Sequence, residues 1–456
     1  MSGSGPSREK LEALSARETA RFRDEHPRSE ALAGRMESHW LHGAPMHWMK
    51  DWASPFPIFA EDGEGASLMD VDEHAYDDFC LGDTPGMFGH AHPAIARALS
   101  EQARKGATFM LPTEEAARVG EALAARFKLP FWQTTLSASD ANRALIRWAR
   151  AATGRPVILV FDGCYHGMVE DCFVDLVDGQ TRMDAGLIGQ VHDYTSTTRV
   201  IPFNDVAALE AALAPGDVAA VLAEPAMTNV GMILPEPGFH DALRHLTRKA
   251  GALLILDETH TLSTGPAGYC GAHGLEPDAL VIGKAIAGGF PAAVWGVSDD
   301  VAKRIAAYKR EPGRSGVGTT LAGNAMGIAA IGATLSEIMT EANYAHMLRG
   351  AERLKAGLQA VIQAHTLPWS VVHVGARAEI VFAPKPPKNA HEMRLAQKDA
   401  SIGDDLLNQV LHLYLINRGL LIAPFHMMLL ISPATSDDQI GRLIAAVDGF
   451  AQEIQG

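Results

Sequence analysis

The stretch Ala252–Gly289 reads ALLILDETHTLSTGPAGYCGAHGLEPDALVIGKAIAGG. It holds two apolar runs, Ala252–Leu256 and Ala279–Ile282. Both are short, rich in Leu, Ile or Val, and bounded by turn residues, as a strand buried on both faces reads. The first runs out into Asp257 and Glu258, and the second into Gly283 and Lys284. Ligands of open α/β sheets bind at the carboxyl ends of the strands. Two strands that bring an acid and a lysine to that edge therefore point to one site. The lysine is the telling member, because a buried ammonium is costly unless it is paired or chemically used.

Working outward, the same alternation of strand and helix continues. Upstream come the loop SASDAN running into a helix to Arg150, strand Val157–Phe161, the loop DGCYHG and strand Arg199–Pro202. Helix Val206–Leu213, strand Ala219–Ala223 ending in Glu224, and helix Gly238–Ala250 complete the approach, and Ala293–Val297 adds a strand downstream. This order predicts an α/β fold, a mostly parallel sheet with helices on both faces. Nearer the N-terminus, residues 1–8 read as disordered, Glu9 to about Trp40 as a polar surface helix in preference to a partner-binding one, and Trp48, Trp52, Met46 and Met49 as core in preference to a pocket wall. Strands are expected at Phe56–Ala60 and Ala66–Asp70, then an acidic turn DVDEHAYDD, a Gly-rich loop, and helices at Ala94–Lys105 and Glu114–Arg126. After the loop RSGVGTTLAGN, long helices, short strands and a final helix from Asp437 predict an α+β region, with Lys385–Met393 as an exposed loop. The expected domains are 1–75, a large α/β domain over 76–335, and a small α+β domain over 336–456.

The chain has 456 residues and a formal net charge of −15, with 47% hydrophobic and 20% charged residues. An acidic protein without a basic run is a poor partner for nucleic acid or an anionic membrane. The four cysteines show no metal-ligand spacing, so free thiols in a reduced compartment and no metal are expected. No apolar run is long enough to span a bilayer, and the first residues carry neither an apolar signal core nor an acid-poor transit composition, so a cytoplasmic location is expected.

The chemistry suggested by the residues is specific. Lys284 can form a Schiff base with a carbonyl ligand. Asp257 can ion-pair with a cationic ring nitrogen. Ser137, Ala138 and Ser139 at a helix start offer amides, hydroxyls and a favourable dipole to a phosphate. Tyr165, just past a strand, can stack on a planar ring. Each is weak alone: a terminal Asp is more often a cap, and Ser-x-Ser more often a simple N-cap. Together they describe a pyridoxal 5'-phosphate site. A nucleotide-dependent oxidoreductase is disfavoured, since no G-x-G-x-x-G follows a strand and opens a helix.

The chain resembles the class III aminotransferases of pyridoxal-phosphate fold type I, and within them most the glutamate-1-semialdehyde aminomutase branch. The matching segments, from about Trp40 to Phe450, include DVDEHAYDDF, FGHAHPAI, SASDAN, RWARAATGRPVILVFDGCYHG, AEPAMTNVG, LLILDETHT, IGKAIAGGFP and TTLAGNAMGIAA. The resemblance implies that Lys284 carries the cofactor, Asp257 pairs with its ring nitrogen, and Ser137, Ala138 and Ser139 hold its phosphate. It implies Tyr165 and Thr259 against the ring faces, His166 beside the ring, His260 within reach of the ring hydroxyl, and Glu224 as the motif acid of Glu-Pro. Thr320 matches a threonine lent by a neighbouring subunit, which implies a homodimer with shared sites.

The departures from the family pattern concern substrate more than cofactor. Ala138 stands for Gly, Asp140 for Glu, Thr259 for Val, and Leu262-Ser263-Thr264 for Gly-Phe-Arg. Asp83 aligns with an aromatic that lines the substrate pocket, where an acid can bind a substrate cation or remain a solvated loop charge. Lys50 and Arg314 are the nearest positional candidates for a carboxylate, though each is also readable as a surface charge. The expected activity is amino transfer from an amino acid or amine to a 2-oxo acid or aldehyde. A 2,1-aminomutase or an amino-acid epimerase on the same fold is the alternative.

Overall fold

The computed structural model describes residues 7–308, 316–399, 406–424 and 426–455. The chain divides into two compact units. One comprises 93–344 with 388–393, and the other 1–92 with 345–387 and 394–456.

The first of these is built on a seven-stranded sheet. Numbering strands through the whole chain, it contributes β4 (Phe131–Thr135), β5 (Val157–Phe161), the hairpin β6 (Val174–Val177) and β7 (Gln180–Met183), β8 (Thr198–Ile201), β9 (Val218–Ala223), β10 (Leu253–Asp257), β11 (Ala279–Ile282) and β12 (Ala293–Val297). The sheet order is β4-β12-β11-β10-β9-β5-β8. β11, β10, β9, β5 and β8 pair in parallel, whereas β12 runs antiparallel to both β11 and β4. Every residue of β9, β10 and β11 is buried. Fully burying a Leu or Ile side chain is worth about 1.5–3 kcal/mol, which is why uninterrupted apolar runs occupy the middle of the sheet. The two runs of the opening stretch are thus adjacent central strands. β4, FWQTT, alternates exposed and half-buried positions at the sheet edge and has no apolar run to announce it.

The other unit contains β1 (Ala60–Glu64), β2 (Ser67–Asp70), β3 (Ala75–Asp78), β13 (Ser370–Val374), β14 (Arg377–Val381), β15 (Leu420–Leu421) and β16 (Met428–Leu430). They form a sheet β1-β2-β3-β15 and a sheet β13-β14-β16. Several expectations are corrected here. The strand expected at Phe56–Ala60 starts at Ala60, and part of the expected acidic turn is β3. The long N-terminal helix is two helices, α1 (Arg8–Glu25) and α2 (Pro27–Glu37), broken where Pro27 begins the second. It is not a surface helix: Leu11 and Phe22 are fully buried, and Phe22 joins Phe56, Tyr76, Leu413 and Ile416 in a core cluster. Conversely, Met46, Trp48 and Met49 are exposed rather than core. The loop expected at Lys385–Met393 turns helical at Ala390. Residues 1–6 of the expected disordered start lie outside the described residues.

Candidate active site

Strand register sets the site. Ala223 of β9 lies opposite Leu256 of β10, and Asp257 lies opposite Val281 of β11. Glu224, Asp257 and Lys284 therefore leave three neighbouring parallel strands at one carboxyl edge, where ligands of such sheets bind.

Asp257 is buried and tightly held. His166 Nδ1 lies 3.0 Å from its Oδ2, Asn142 Nδ2 donates to the same oxygen at 2.8 Å, and Thr259 N–H donates to Oδ1 at 3.0 Å. Burial pushes the carboxyl up, but the His166 contact and the other donors outweigh it and hold the acid below its ordinary range. For His166, burial works toward the neutral form; the Asp257 hydrogen bond prevails and raises the imidazole to about 10. Together they form a buried ion pair. Asn142 was not legible as a site residue. It lies on the inward face of the helix Ala138–Thr153, between buried Ala141 and Leu145, and also donates to the His166 carbonyl at 3.1 Å. A polar residue inside an apolar helical stripe was the available signal.

Lys284 sits differently. Its backbone is left-handed, φ 48°, at the start of a short 3-10 turn. For a residue with a side chain that conformation costs on the order of 1–3 kcal/mol. Its Nζ lies 2.9 Å from Nε2 of buried His260. Thr259 turns its hydroxyl to accept the Gly283 N–H at 3.2 Å, tying the end of β10 to the start of the lysine turn.

The helix beginning at Ala138 is capped by Ser137, whose Oγ accepts from Asp140 N–H at 3.3 Å. Ser139 Oγ accepts the Met168 N–H at 3.0 Å, which fastens the helix start to the loop carrying half-buried Tyr165 and His166. Two glycines make this approach possible. A Cβ at Gly167 would fall 2.0 Å from Ser139 Oγ, and one at Gly283 would fall 2.8 Å from Ala138 Cβ. Glu224 accepts from Thr228 and Asn229, and burial raises its carboxyl against those bonds.

The remaining expected residues have surroundings of their own. Thr320 is exposed and lines a cavity of about 350 Å³ with Met110, Gln133 and Thr134. Lys50 and Asp83 belong to the other unit. Lys50 Nζ faces Glu37 at 3.5 Å. Asp83 is half-buried with φ 58°, and its charge acts on His426, which is paired with Glu379. Arg314 lies outside the described residues.

The family profile described as aminotransferase class-III matches residues 48–447. The chain belongs to this family. A glutamate-1-semialdehyde 2,1-aminomutase of Exiguobacterium sp. AT1b is 32% identical over 407 residues, 88% of this chain and 91% of that protein. The crystal structure of a glutamate-1-semialdehyde-aminomutase from Pseudomonas aeruginosa PAO1 is 46% identical, with a TM-score of 0.95 over 99% of this chain and all of that one. A β-phenylalanine aminotransferase from Variovorax paradoxus is 26% identical, with a TM-score of 0.85 over 96% of this chain and 97% of that one. The fold is that of the pyridoxal-phosphate enzymes of fold type I.

A class III aminotransferase is an enzyme dependent on pyridoxal phosphate. The residues present fit that group. Asp257 is a buried acid kept anionic, as a protonated ring nitrogen requires. The glycine-enforced packing around Ala138 and Ser139 sets a helix start beside the lysine turn, where helix-terminal amides favour an anion. Among the described residues no helix is long and apolar enough to cross a membrane.

Proposed function

We propose that this enzyme exchanges an amino group between adjacent carbons of one small molecule, in the manner of a glutamate-1-semialdehyde 2,1-aminomutase. The whole-length likeness to such an enzyme, 46% identity over 99% of this chain, carries the reading. When bound, pyridoxal phosphate supplies an electron sink beside the substrate carbon that loses its proton.

The chain's own residues would divide the remaining work. Ser137, Ala138 and Ser139 would hold the phosphate at the helix start, and Tyr165 and Thr259 would bracket the ring. Asp257, pinned by His166, Asn142 and the Thr259 amide, keeps a negative charge at the buried end of the site. Lys284 Nζ is the group that would anchor the cofactor and, once released, carry a proton. His260 Nε2, 2.9 Å away, is placed to take that proton or return it. Glu224 would bound the site on the β9 side.

The test is to supply glutamate-1-semialdehyde alone and follow the isomer with the amine on the former aldehyde carbon, 5-amino-4-oxopentanoate. Formation of that isomer without any added oxo acid supports the aminomutase reading; no isomer, with turnover only when an oxo-acid acceptor is present, overturns it. The second reading is intermolecular amino transfer to a 2-oxo acid or aldehyde. Its support is Thr259 with His260 and Leu262-Ser263-Thr264 where the family pattern differs, and the likeness to a β-phenylalanine aminotransferase. A homodimer in which Thr320 reaches the neighbour's phosphate and a cytoplasmic location belong to the same proposal. Mass measurement in solution and the cofactor affinity of Thr320→Ala test the dimer. Lys50 and Asp83 remain the proposed substrate-facing charges, tested by the KM of their alanine variants.

A further inference from the structure

The unit that holds the N-terminal helices gathers His26, Asp70 and His74 around one point. His26 is the corner residue between α1 and α2, Asp70 ends β2, and His74 follows in the β2–β3 turn. One ligand-type atom from each lies within 4.8 Å of the other two. His26 Nε2 is 3.5 Å and His74 Nδ1 is 3.2 Å from the same oxygen, Asp70 Oδ2. Tetrahedral zinc bonds of about 2.0–2.1 Å put neighbouring ligand atoms about 3.3–3.4 Å apart. The two spacings to Asp70 bracket that edge, and the His26 and His74 ligand atoms lie within 4.8 Å of each other.

Each ligand is also oriented by a contact of its own. His26 Nδ1 lies 2.7 Å from the Phe22 carbonyl, which only accepts, so the proton sits on Nδ1 and Nε2 keeps its lone pair. Asp70 Oδ1 accepts the Asp72 and His74 amides at 2.9 and 2.8 Å, which leaves Oδ2 aimed inward. Such supporting bonds are what fix the ligands of metal sites. Tyr76 hydroxyl stands 2.8 Å from His26 Nε2 and donates to Asp70 Oδ2 at 2.9 Å. His26 and Asp70 are buried, whereas His74 keeps 35% of its side chain exposed, so the turn offers an entry.

We propose that His26, Asp70 and His74 form a structural site for a divalent cation of borderline character, zinc in particular. Two imidazoles and one carboxylate are donors that zinc accepts. Binding requires His74 to carry its proton on the outer Nε2 and to offer Nδ1. The ion would then join the α1–α2 corner to the β2–β3 hairpin within this unit. The ligands are 44 and 4 positions apart with no cysteine, so spacing along the chain gave no sign of them.

The test uses the full-length, cofactor-loaded enzyme, stripped with a chelator, dialysed and titrated with zinc chloride by calorimetry. The expected result is one zinc ion per chain, a melting temperature raised by zinc, and binding weakened at least about tenfold in His74→Gln and in His26→Gln. His74→Gln is the main variant, because its half-exposed ring can be changed without opening the core; exposed His47→Gln should bind as the parent does. No zinc uptake overturns the site, leaving a hydrogen-bonded cluster around Tyr76. Uptake that survives His74→Gln also overturns it and places the ion elsewhere, for example on a thiol.

Discussion

β10 and β11 are neighbours in one sheet, both fully buried, yet the residues at their ends are held in opposite ways. Asp257 has three donors and almost no freedom. Lys284 stands on a left-handed residue, and His260 lies against its amine. The difference suits the roles proposed for the two residues. An acid that keeps a ring protonated functions by staying fixed and charged, and low local dielectric makes each donor count. A lysine proposed to anchor the cofactor and then move a proton is served by a neighbour that can share that proton, as His260 Nε2 can at 2.9 Å. Strain at Lys284 is affordable because buried Ala285, Ile286 and Ala287 hold the turn after it.

The largest effect should come from the lysine end. Lys284→Ala should cut turnover by about 10⁴-fold while circular dichroism and the melting temperature stay near those of the parent. A large drop in melting temperature would show that the lysine is part of the packing and would erase the contrast. Asp257→Asn should hurt differently. It leaves the His166 imidazolium buried without its anion, so denaturant titration should show a loss of about 3–5 kcal/mol, with cofactor affinity falling as well. Asn142→Ala removes one donor to the charged oxygen, and about 1.5–3 kcal/mol of stability should go with it.

Titration sharpens the same comparison. His166 is raised to about 10 from an ordinary value of 6.5, so its stabilising contribution is complete below pH 6.5 and is lost as pH rises through about 10. Asp257 is lowered from 3.8, so its contribution is present above that value and is lost as pH falls through its depressed value. The cofactor-free protein should therefore weaken between pH 6.5 and 10, and His166→Gln should flatten that slope in thermal melts. The smallest effect belongs to His260→Gln. Glutamine can still meet the Lys284 amine but cannot exchange a proton, so kcat should fall by about 10²-fold or less with the pH profile of kcat altered and KM little changed.

The central strands were legible because a strand buried on both faces must be apolar throughout, and its polar terminus then stands out. That logic located Asp257 and Lys284 and predicted the α/β fold. It failed where local pattern and tertiary burial diverge. β3 carries acids that read as a turn, yet it is a strand held between β2 on one side and Leu420–Leu421, far along the chain, on the other. Phe22 lies on a polar helix whose large apolar residues, Leu11, Leu14 and Phe22, are all buried, whereas Met46, Trp48 and Met49 are clustered in sequence and exposed in the structure.

The sequence by itself determined the buried central strands with the helices between them, the acid and lysine at two strand ends, and the small residues at the start of the helix at Ala138, since these depend on local periodicity and turn chemistry. Only the tertiary structure decided which groups surround them. The His166–Asp257–Asn142 network and the His26–Asp70–His74 cluster join residues distant in the chain, and only folding sets the distances over which charges and hydrogen bonds act.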